Sequence, residues 1–456
     1  MPVDRSVLPP LGEPTSLAFP KIVRETLPGG VQLRTVDHRQ QALVSLVLLL
    51  RSGSASDPAG REGLAGLTAA LIDEGSDHYS ALALHEALGD IGGRLGTDVF
   101  SDATVLSITA LARYAADALK LLLDVATSPR FEANDVNRVR ALRISRIAQL
   151  RHSAGAVADR LFLRTLYGQH PYGHVAIGTE NALKAISVED LRAFHATHYA
   201  PTNWTVVAVG GGKALDLRSI VEDGISSLVP SPVVTRPSYH TAPPVDPLLP
   251  SDRLVFVARE GAVQSELRIG SLGVARRVDD YEALTVLDMV LGGQFASRLN
   301  LNLREAKGYT YGVRSSFDAR CGRGPFVVRT AVDAEATADA VHEVVREISE
   351  IRGVRPVTDD EVMAARSALT RGFPRNFETA GQVVRAAMRL AVFDLPDDEY
   401  TTFVPRISAV DRDAVTAAAR QHLHPDGLLV VVVGPPAARA SLVDLGFGEP
   451  VDTTPA

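Results

Sequence analysis

The sequence predicts an α+β protein of two homologous domains, each a mostly antiparallel sheet with helices packed on it, joined by a proline-rich linker. Three observations carry that prediction. The first is a distant repeat: ISVEDLRAFHATHYAPTNWTVVAVGG from Ile186 is echoed by ISAVDRDAVTAAARQHLHPDGLLVVVVGP from Ile407, 221 residues on. The apolar strand Ala42–Arg51 is echoed by Glu266–Val274, with Gln41 lying 223 residues before Gln264. Two segments at nearly one offset mark a duplicated unit. The second observation is that each unit mixes short apolar runs with long amphipathic stretches, and helices laid on one face of a sheet fit that mixture. The third is a cluster of prolines at 230, 232, 237, 243, 244, 247 and 250. Residues without an amide hydrogen cannot sit inside a sheet or helix, so 230–250 reads as an extended linker. The predicted organisation is an arm over 1–19, a first domain over 20–229, the linker over 230–250 and a second domain over 251–456.

Each element has its local reason. Residues 1–19 are proline-rich and aperiodic, hence an arm. Val23–Asp37 reads as strand, Pro28-Gly29-Gly30 turn, strand. Ala42–Arg51 is nearly continuous apolar sequence, as in a strand covered on both faces. In Gly63–Glu74, Leu64, Leu67, Leu71 and Ile72 fall near helical spacing with small residues between them. Ser80–Gly89 is a helix with Ser80 as its N-cap, Gly92–Gly96 breaks it, and Val99–Ala110 alternates as one strand. Tyr114–Ala126 and Glu132–His152 are long amphipathic helices. Phe162–Leu166 is helical, Gln169–Gly173 a turn, Val188–His198 a helix and Asn203–Val209 a strand.

Composition excludes several functions. A net charge of −7 argues against nucleic acid or an anionic membrane as main partner. Cys321 is the single cysteine, so there is no intrachain disulfide and no cysteine-based zinc cluster; it reads as a buried or loop thiol. The longest apolar runs, Leu46–Leu50 and Leu428–Val433, fall far short of the ~20 residues that span a bilayer. No apolar signal-like stretch opens the chain, which points to the cytoplasm, or to the periplasm if an engineered start hides a removed signal. Lysine occurs at five positions against many arginines, a coding bias. His170/His174, His195/His198 and His422/His424 have ligand-like spacing, but a proline and glycine turn, missing further ligands and the repeat itself favour structural roles. Gly210-Gly211-Gly212-Lys213 lacks the spacing and the Ser/Thr of a phosphate loop and reads as a strand-to-helix turn.

Two stretches carry the functional signal. One runs Ser52-Gly53-Ser54-Ala55-Ser56-Asp57-Pro58, then Gly60-Arg61-Glu62-Gly63-Leu64-Ala65. The other is S-R-L-x-x-x-L-R-E-x-K-G-x-x-Y, matched at Ser297, Arg298, Leu299, Leu303, Arg304, Glu305, Lys307, Gly308 and Tyr311. Together they resemble the pitrilysin/insulinase family of zinc peptidases, which includes the mitochondrial processing peptidase, over roughly Ser16 to Gly446. In that family an inverted H-x-x-E-H motif follows the first stretch: two histidines bind zinc and the glutamate activates its water. Here Gly66, Ala69 and Ala70 stand at those positions. Carrying the spacing to the third ligand reaches Arg146, a fixed cation. The resemblance therefore implies a chain without metal or other cofactor of its own, the zinc lying in a homologous H-x-x-E-H partner subunit, in a two-subunit clam-shell of which this chain is half. A peptide would lie extended along a strand edge of the partner. Arg304 and Tyr311 are the implied site residues: they reach to the partner's site, hydrogen-bond the substrate backbone and steady the transition state, a kind of donor worth roughly 2.7–4 kcal/mol. Tyr309, expected on a strand face shared with Tyr311, has no separate role. The alternatives are an inert structural or peptide-binding homologue, like the core proteins of the respiratory bc1 complex, and a homodimer using another site.

Overall fold

The computed structural model describes residues 18–38, 42–211, 215–226, 228 and 253–454. The proline-rich 230–250 segment, most of the 1–19 arm and Gly212–Lys213 lie outside the described residues.

The first half contributes strands β1 (Ile22–Thr26), β2 (Gln32–Asp37), β3 (Leu43–Leu50), β4 (Arg94–Val99), β5 (Thr104–Leu111) and β6 (Trp204–Gly210). Its helices are α1 (Leu64–Ala70), α2 (Ala81–Asp90), α3 (Ala115–Thr127), α4 (Ala133–Leu150), α5 (Ala154–Tyr167), α6 (Glu180–Ala185), α7 (Val188–His198) and α8 (Leu217–Ser226). The second half contributes β7 (Leu254–Ala258), β8 (Gln264–Leu272), β9 (Val313–Phe317), β10 (Pro325–Asp333), β11 (Leu429–Gly434) and β12 (Val451–Asp452). Its helices are α9 (Tyr281–Asp288), α10 (Thr337–Glu350), α11 (Asp359–Arg371), α12 (Ala380–Val392), α13 (Glu399–Ala409) and α14 (Arg412–His422).

The strands form two six-stranded sheets, ordered β1-β2-β6-β3-β5-β4 and β12-β7-β11-β8-β10-β9. Pairs β6–β3–β5–β4 and β11–β8–β10–β9 are antiparallel, while β2–β6 and β7–β11 are parallel. The orders superpose strand for strand, as the repeat predicts. They differ at the outer edge, where β1 comes from an N-terminal hairpin and β12 from the C-terminus.

Two local readings change. Val99–Ala110 is the end of one strand and most of the next: a turn at Phe100–Ala103 separates β4 from β5, the Phe100 amide donating to the Ala103 carbonyl. The glycines at 92, 93 and 96 masked the start of β4. Phe162–Leu166 is only the second half of α5, whose N-cap Ser153 accepts from the Ala156 amide.

That helix changes the layering too. One face of the first sheet packs on helices of its own half. Its other face, including Val47, Leu49, Val105, Val207 and Val209, is covered by Val383, Ala387 and Leu390 of α12. Reciprocally, Val157, Leu161 and Phe162 of α5 cover Val255, Val257, Val327, Val431 and Val433 of the second sheet. Each half thus lends one helix to the other's sheet, which is why β3, β6, β7 and β11 are apolar on both faces. A polar junction adds to the exchange. Tyr172 Oη donates to Asp102 Oδ1 (2.5 Å), the Cys321 amide donates to Asp102 Oδ2 (2.9 Å), and the Gly322 amide donates to Tyr172 Oη (3.0 Å). Burial, with Asp102 nearby, pushes the Cys321 thiol up to about 12, so it is no nucleophile at neutral pH. Among the described residues no helix is long and apolar enough to cross a membrane.

Candidate functional site

The second-half motif folds as two π-helical turns, Met289–Gly293 and Asn300–Ala306, leading into β9. Such turns are rare and cluster at functional sites. The chain leaves the second turn through Gly308, at φ +68°, a conformation glycine adopts without the strain of a Cβ. Leu299 and Leu303 anchor the turn in the core. Buried Arg298 is a structural member of the motif: Nε and Nη2 hold both oxygens of Glu361 (2.6 and 2.7 Å), and Nη1 and Nη2 donate to the Arg355 and Pro356 carbonyls.

Asn300 ties the turn to the strand. Its Nδ2 donates to the Val313 carbonyl (2.8 Å), and the Val313 amide donates back to Oδ1 (3.0 Å). Nδ2 also lies within reach of Ser297 Oγ and the Gln294 carbonyl. The sequence reading missed this residue, although a signal existed: Asn300 is polar and three residues before core Leu303, and a polar group on an apolar face has to find partners. Asn300→Ala is expected to cost about 1–3 kcal/mol in denaturant unfolding, because both Val313 groups lose their partner. A loss below ~0.5 kcal/mol would remove the clamp.

Arg304 and Tyr311 line one cavity of about 680 Å³, with Phe295, Arg314, Arg329 and Glu266 among its other walls. The Arg304 guanidinium stacks 3.2 Å from the Phe295 ring centre and pairs with Glu305. Its side chain is 13% exposed, whereas Tyr311 is 94% exposed and has no side-chain partner among the described residues. Phe295, at 74%, is exposed as well. Tyr309 and Tyr311 both precede β9, so no shared strand face exists. Tyr309 packs on the core, its hydroxyl donating towards Asp339 at 3.5 Å, while Tyr311 points outward.

Behind the cavity wall, Asp288 Oδ1 accepts from Ser315 Oγ at 2.5 Å. Burial raises its pKa to about 7; the Ser315 hydrogen bond opposes the rise and Asp318 adds to it. The folded state therefore binds a proton that the unfolded state has released between pH ~4 and 7, and this group makes stability fall as pH rises across that window. Asp288→Asn is expected to stabilise the chain by about 1–3 kcal/mol at pH 8 with little change at pH 4. Unfolding curves at the two pH values test it; equal effects at both would exclude the linkage.

The first-half helix presents a different environment. Asp57 caps α1, accepting from the Gly63 and Ala65 amides (both 2.7 Å) and facing His174 Nε2 at 3.0 Å. Any β-carbon at Gly66 would collide with the Ala176 carbonyl oxygen and the Arg143 guanidinium. Ala69 is buried and Ala70 packs against the same core. The residue of α4 that meets this position is Arg143, not Arg146. Arg143 Nη2 donates to the Ala176 carbonyl (2.8 Å), and burial lowers its pKa to about 10 although Asp57 opposes the shift. Arg146 is exposed and bonds Gln149 one turn on. The spacing found the right helix but the wrong face: Arg143 and Ile147, four apart, turn inward. These residues do not fit a zinc ion, since they offer no ligand atom and set a guanidinium in the space. Among the described residues no three His, Cys, Asp or Glu side chains gather as a metal site. The paired histidines have structural partners. His195 bonds the Ala126 carbonyl, His422 bonds Asp280, and the His198 ring lies tilted against Phe194.

The family model for insulinase (peptidase family M16) matches residues 34–180, and the model for the peptidase M16 inactive domain matches residues 185–369. The chain belongs to the insulinase family, M16. An uncharacterized zinc protease of Mycobacterium tuberculosis is 27% identical over 439 residues, covering 94% of this chain and 96% of its own. A Helicobacter pylori protein named a non-peptidase homologue is 22% identical, covering 85% and 88%. The crystal structure of a peptidase M16 inactive domain from Pseudomonas fluorescens has a TM-score of 0.81 at 25% identity, covering 91% of this chain and 98% of that one. The crystal structure of a protease from Helicobacter pylori, also at a TM-score of 0.81 but 18% identical and covering 92% of this chain and 100% of that one, shares the fold.

Proposed function

We propose that this M16 chain is the non-zinc subunit of a two-subunit peptidase, supplying Arg304 and Tyr311 to an extended peptide held at the zinc site of a homologous H-x-x-E-H partner. One contrast carries the reading. The metal position of the first half is filled by Arg143 against Gly66, while the second half keeps Arg304 and Tyr311 together on an open cavity. An inert homologue has no chemical need of that pair. Arg304 supplies a permanent forked donor and Tyr311 a neutral hydroxyl, both suited to an oxygen gaining charge. Phe295 holds the guanidinium plane by stacking, and the Asn300 clamp fixes the turn against the strand that Tyr311 precedes.

A second reading is an inert scaffold or peptide-binding homologue. It is favoured by the Arg304–Glu305 pair, which occupies the guanidinium in the lone chain, and by the non-peptidase and inactive-domain names of two relatives. Mixing the purified chain with a homologous H-x-x-E-H subunit separates the two. Peptide cleavage well above that of the partner alone supports the peptidase reading. A stable complex without added cleavage supports the scaffold.

A further inference from the structure

The cavity that holds Arg304 and Tyr311 is crossed by a ladder of arginines. Arg268 of β8 lies directly opposite Arg329 of β10, and Arg329 directly opposite Arg314 of β9. Cross-strand neighbours in register share one face, and like charges so placed repel, so an arrangement of this kind has to be compensated. For the inner two members it is. Arg268 Nε donates to Asp159 Oδ1 (2.6 Å) and Nη1 to Glu266 Oε2 (2.9 Å). Arg329 donates from Nη2 to Asp318 Oδ2 (2.6 Å) and from Nη1 to Ser316 Oγ (2.7 Å), and its Nε lies 3.4 Å from the same Asp159 oxygen. Arg304 has Glu305. These four carboxylates account for the other three arginines of the cavity. Arg314 is exposed and lies on the outermost strand of the sheet, and its guanidinium has no hydrogen-bond or ion-pair partner among the described residues.

We infer that Arg314 is a specificity residue, and that the peptides taken at this site carry an Asp or Glu whose carboxylate pairs with it. The inference rests on the peptide-binding reading of Arg304 and Tyr311. An extended peptide in the cavity turns alternate side chains to one face, and a carboxylate there meets the forked donors of a guanidinium two-pronged. With Arg329 already paired to Asp318 and near Asp159, Arg314 is the member of the row whose charge is left for an incoming anion to neutralise. A basic side chain at the same place would extend the row of like charges.

The test uses the full chain assembled with a homologous H-x-x-E-H subunit, whose motif Glu is changed to Gln to stop cleavage, and a positional-scanning library of N-acetylated, C-amidated decapeptides, which removes terminal charges. The best binder is remade as a Glu/Gln pair, and the two Kd values are measured by fluorescence anisotropy. The wild-type chain should bind the Glu peptide about threefold to fivefold tighter, the range of a partly exposed ion pair, and 0.5 M salt should erase the difference. In Arg314→Gln the two peptides should bind alike. Equal binding by the wild-type chain, or a Glu preference that Arg314→Gln retains, overturns the inference while peptide binding stands. A Glu preference lost in Arg314→Gln, together with unaltered turnover of the assembled enzyme in Arg304→Ala, supports Arg314 and overturns the catalytic reading. No retained peptide overturns both.

Discussion

Replacing Arg304 by alanine in the proposed two-subunit enzyme is expected to lower kcat by about 10²–10³-fold, the usual cost of losing one donor aimed at developing charge. Tyr311→Phe should give a smaller fall, roughly tenfold, since a neutral hydroxyl donates a weaker hydrogen bond than a guanidinium. The loss should sit in kcat rather than in KM if the donors act on the transition state more than on the bound peptide. The structure gives reasons to expect a clean readout. Tyr311 is almost fully exposed and its hydroxyl has no partner among the described residues, so removing that hydroxyl disturbs no packing there. Arg304 stacks on Phe295 and, among the described residues, pairs only with the neighbouring, exposed Glu305, so its loss leaves no buried carboxylate behind. Size-exclusion chromatography of the mixture checks that the complex survives. Unchanged kinetics with an intact complex would return both residues to a structural role.

Rebuilding the inverted motif is expected to fail, and at a high cost in stability. In the triple variant Gly66→His, Ala69→Glu, Ala70→His, a side chain at position 66 must displace both the Ala176 backbone and the Arg143 guanidinium that bonds it. Overpacking alone costs about 1–3 kcal/mol, and an unpartnered buried arginine adds several more. The third ligand is missing as well, because Ile147 and Arg143 are the inward residues of α4. The variant should therefore unfold several degrees earlier than the wild type and take up no stoichiometric zinc. Tight zinc binding by this variant with wild-type stability would show that the first-half site is merely unfilled rather than rebuilt around a cation. Adding Arg143→Ala separates the two contributions: it removes the guanidinium from position 66 but leaves the Ala176 carbonyl there, so stability should recover only in part, and no ligand is created.

Much of this was legible in the sequence, and the exceptions have physical causes. The duplication was visible because strands buried on both faces, such as Leu46–Leu50 and Leu428–Val433, leave unmistakable apolar runs. Their double burial comes from α5 and α12 crossing between the halves, and no periodicity states which sheet a helix will cover. Gly66, Ala69 and Ala70 were readable as absences because the frame around them is intact. Arg143 was not, since a spacing rule counts residues along a helix while the facing side is set by packing. Tyr309 was misplaced by extending β9 too early; the chain leaves the π-helical turn at Gly308 and becomes a strand only at Val313. The glycines at 92, 93 and 96 hid the β4–β5 hairpin in the same way, by suppressing the alternation that marks a strand. Arg298 and Arg304 look equivalent in the motif, and only the structure separates a buried anchor from a cavity residue. Asn300 lies at a position that the motif leaves variable, and Arg314 lies three residues beyond its end.

The central claim is that the chemistry of this chain depends on a partner. The measurement that bears on it most directly is peptide cleavage by the purified chain alone, with zinc supplied, before and after chelation. The account predicts no cleavage in either condition. Cleavage by the lone chain that chelation abolishes would contradict it.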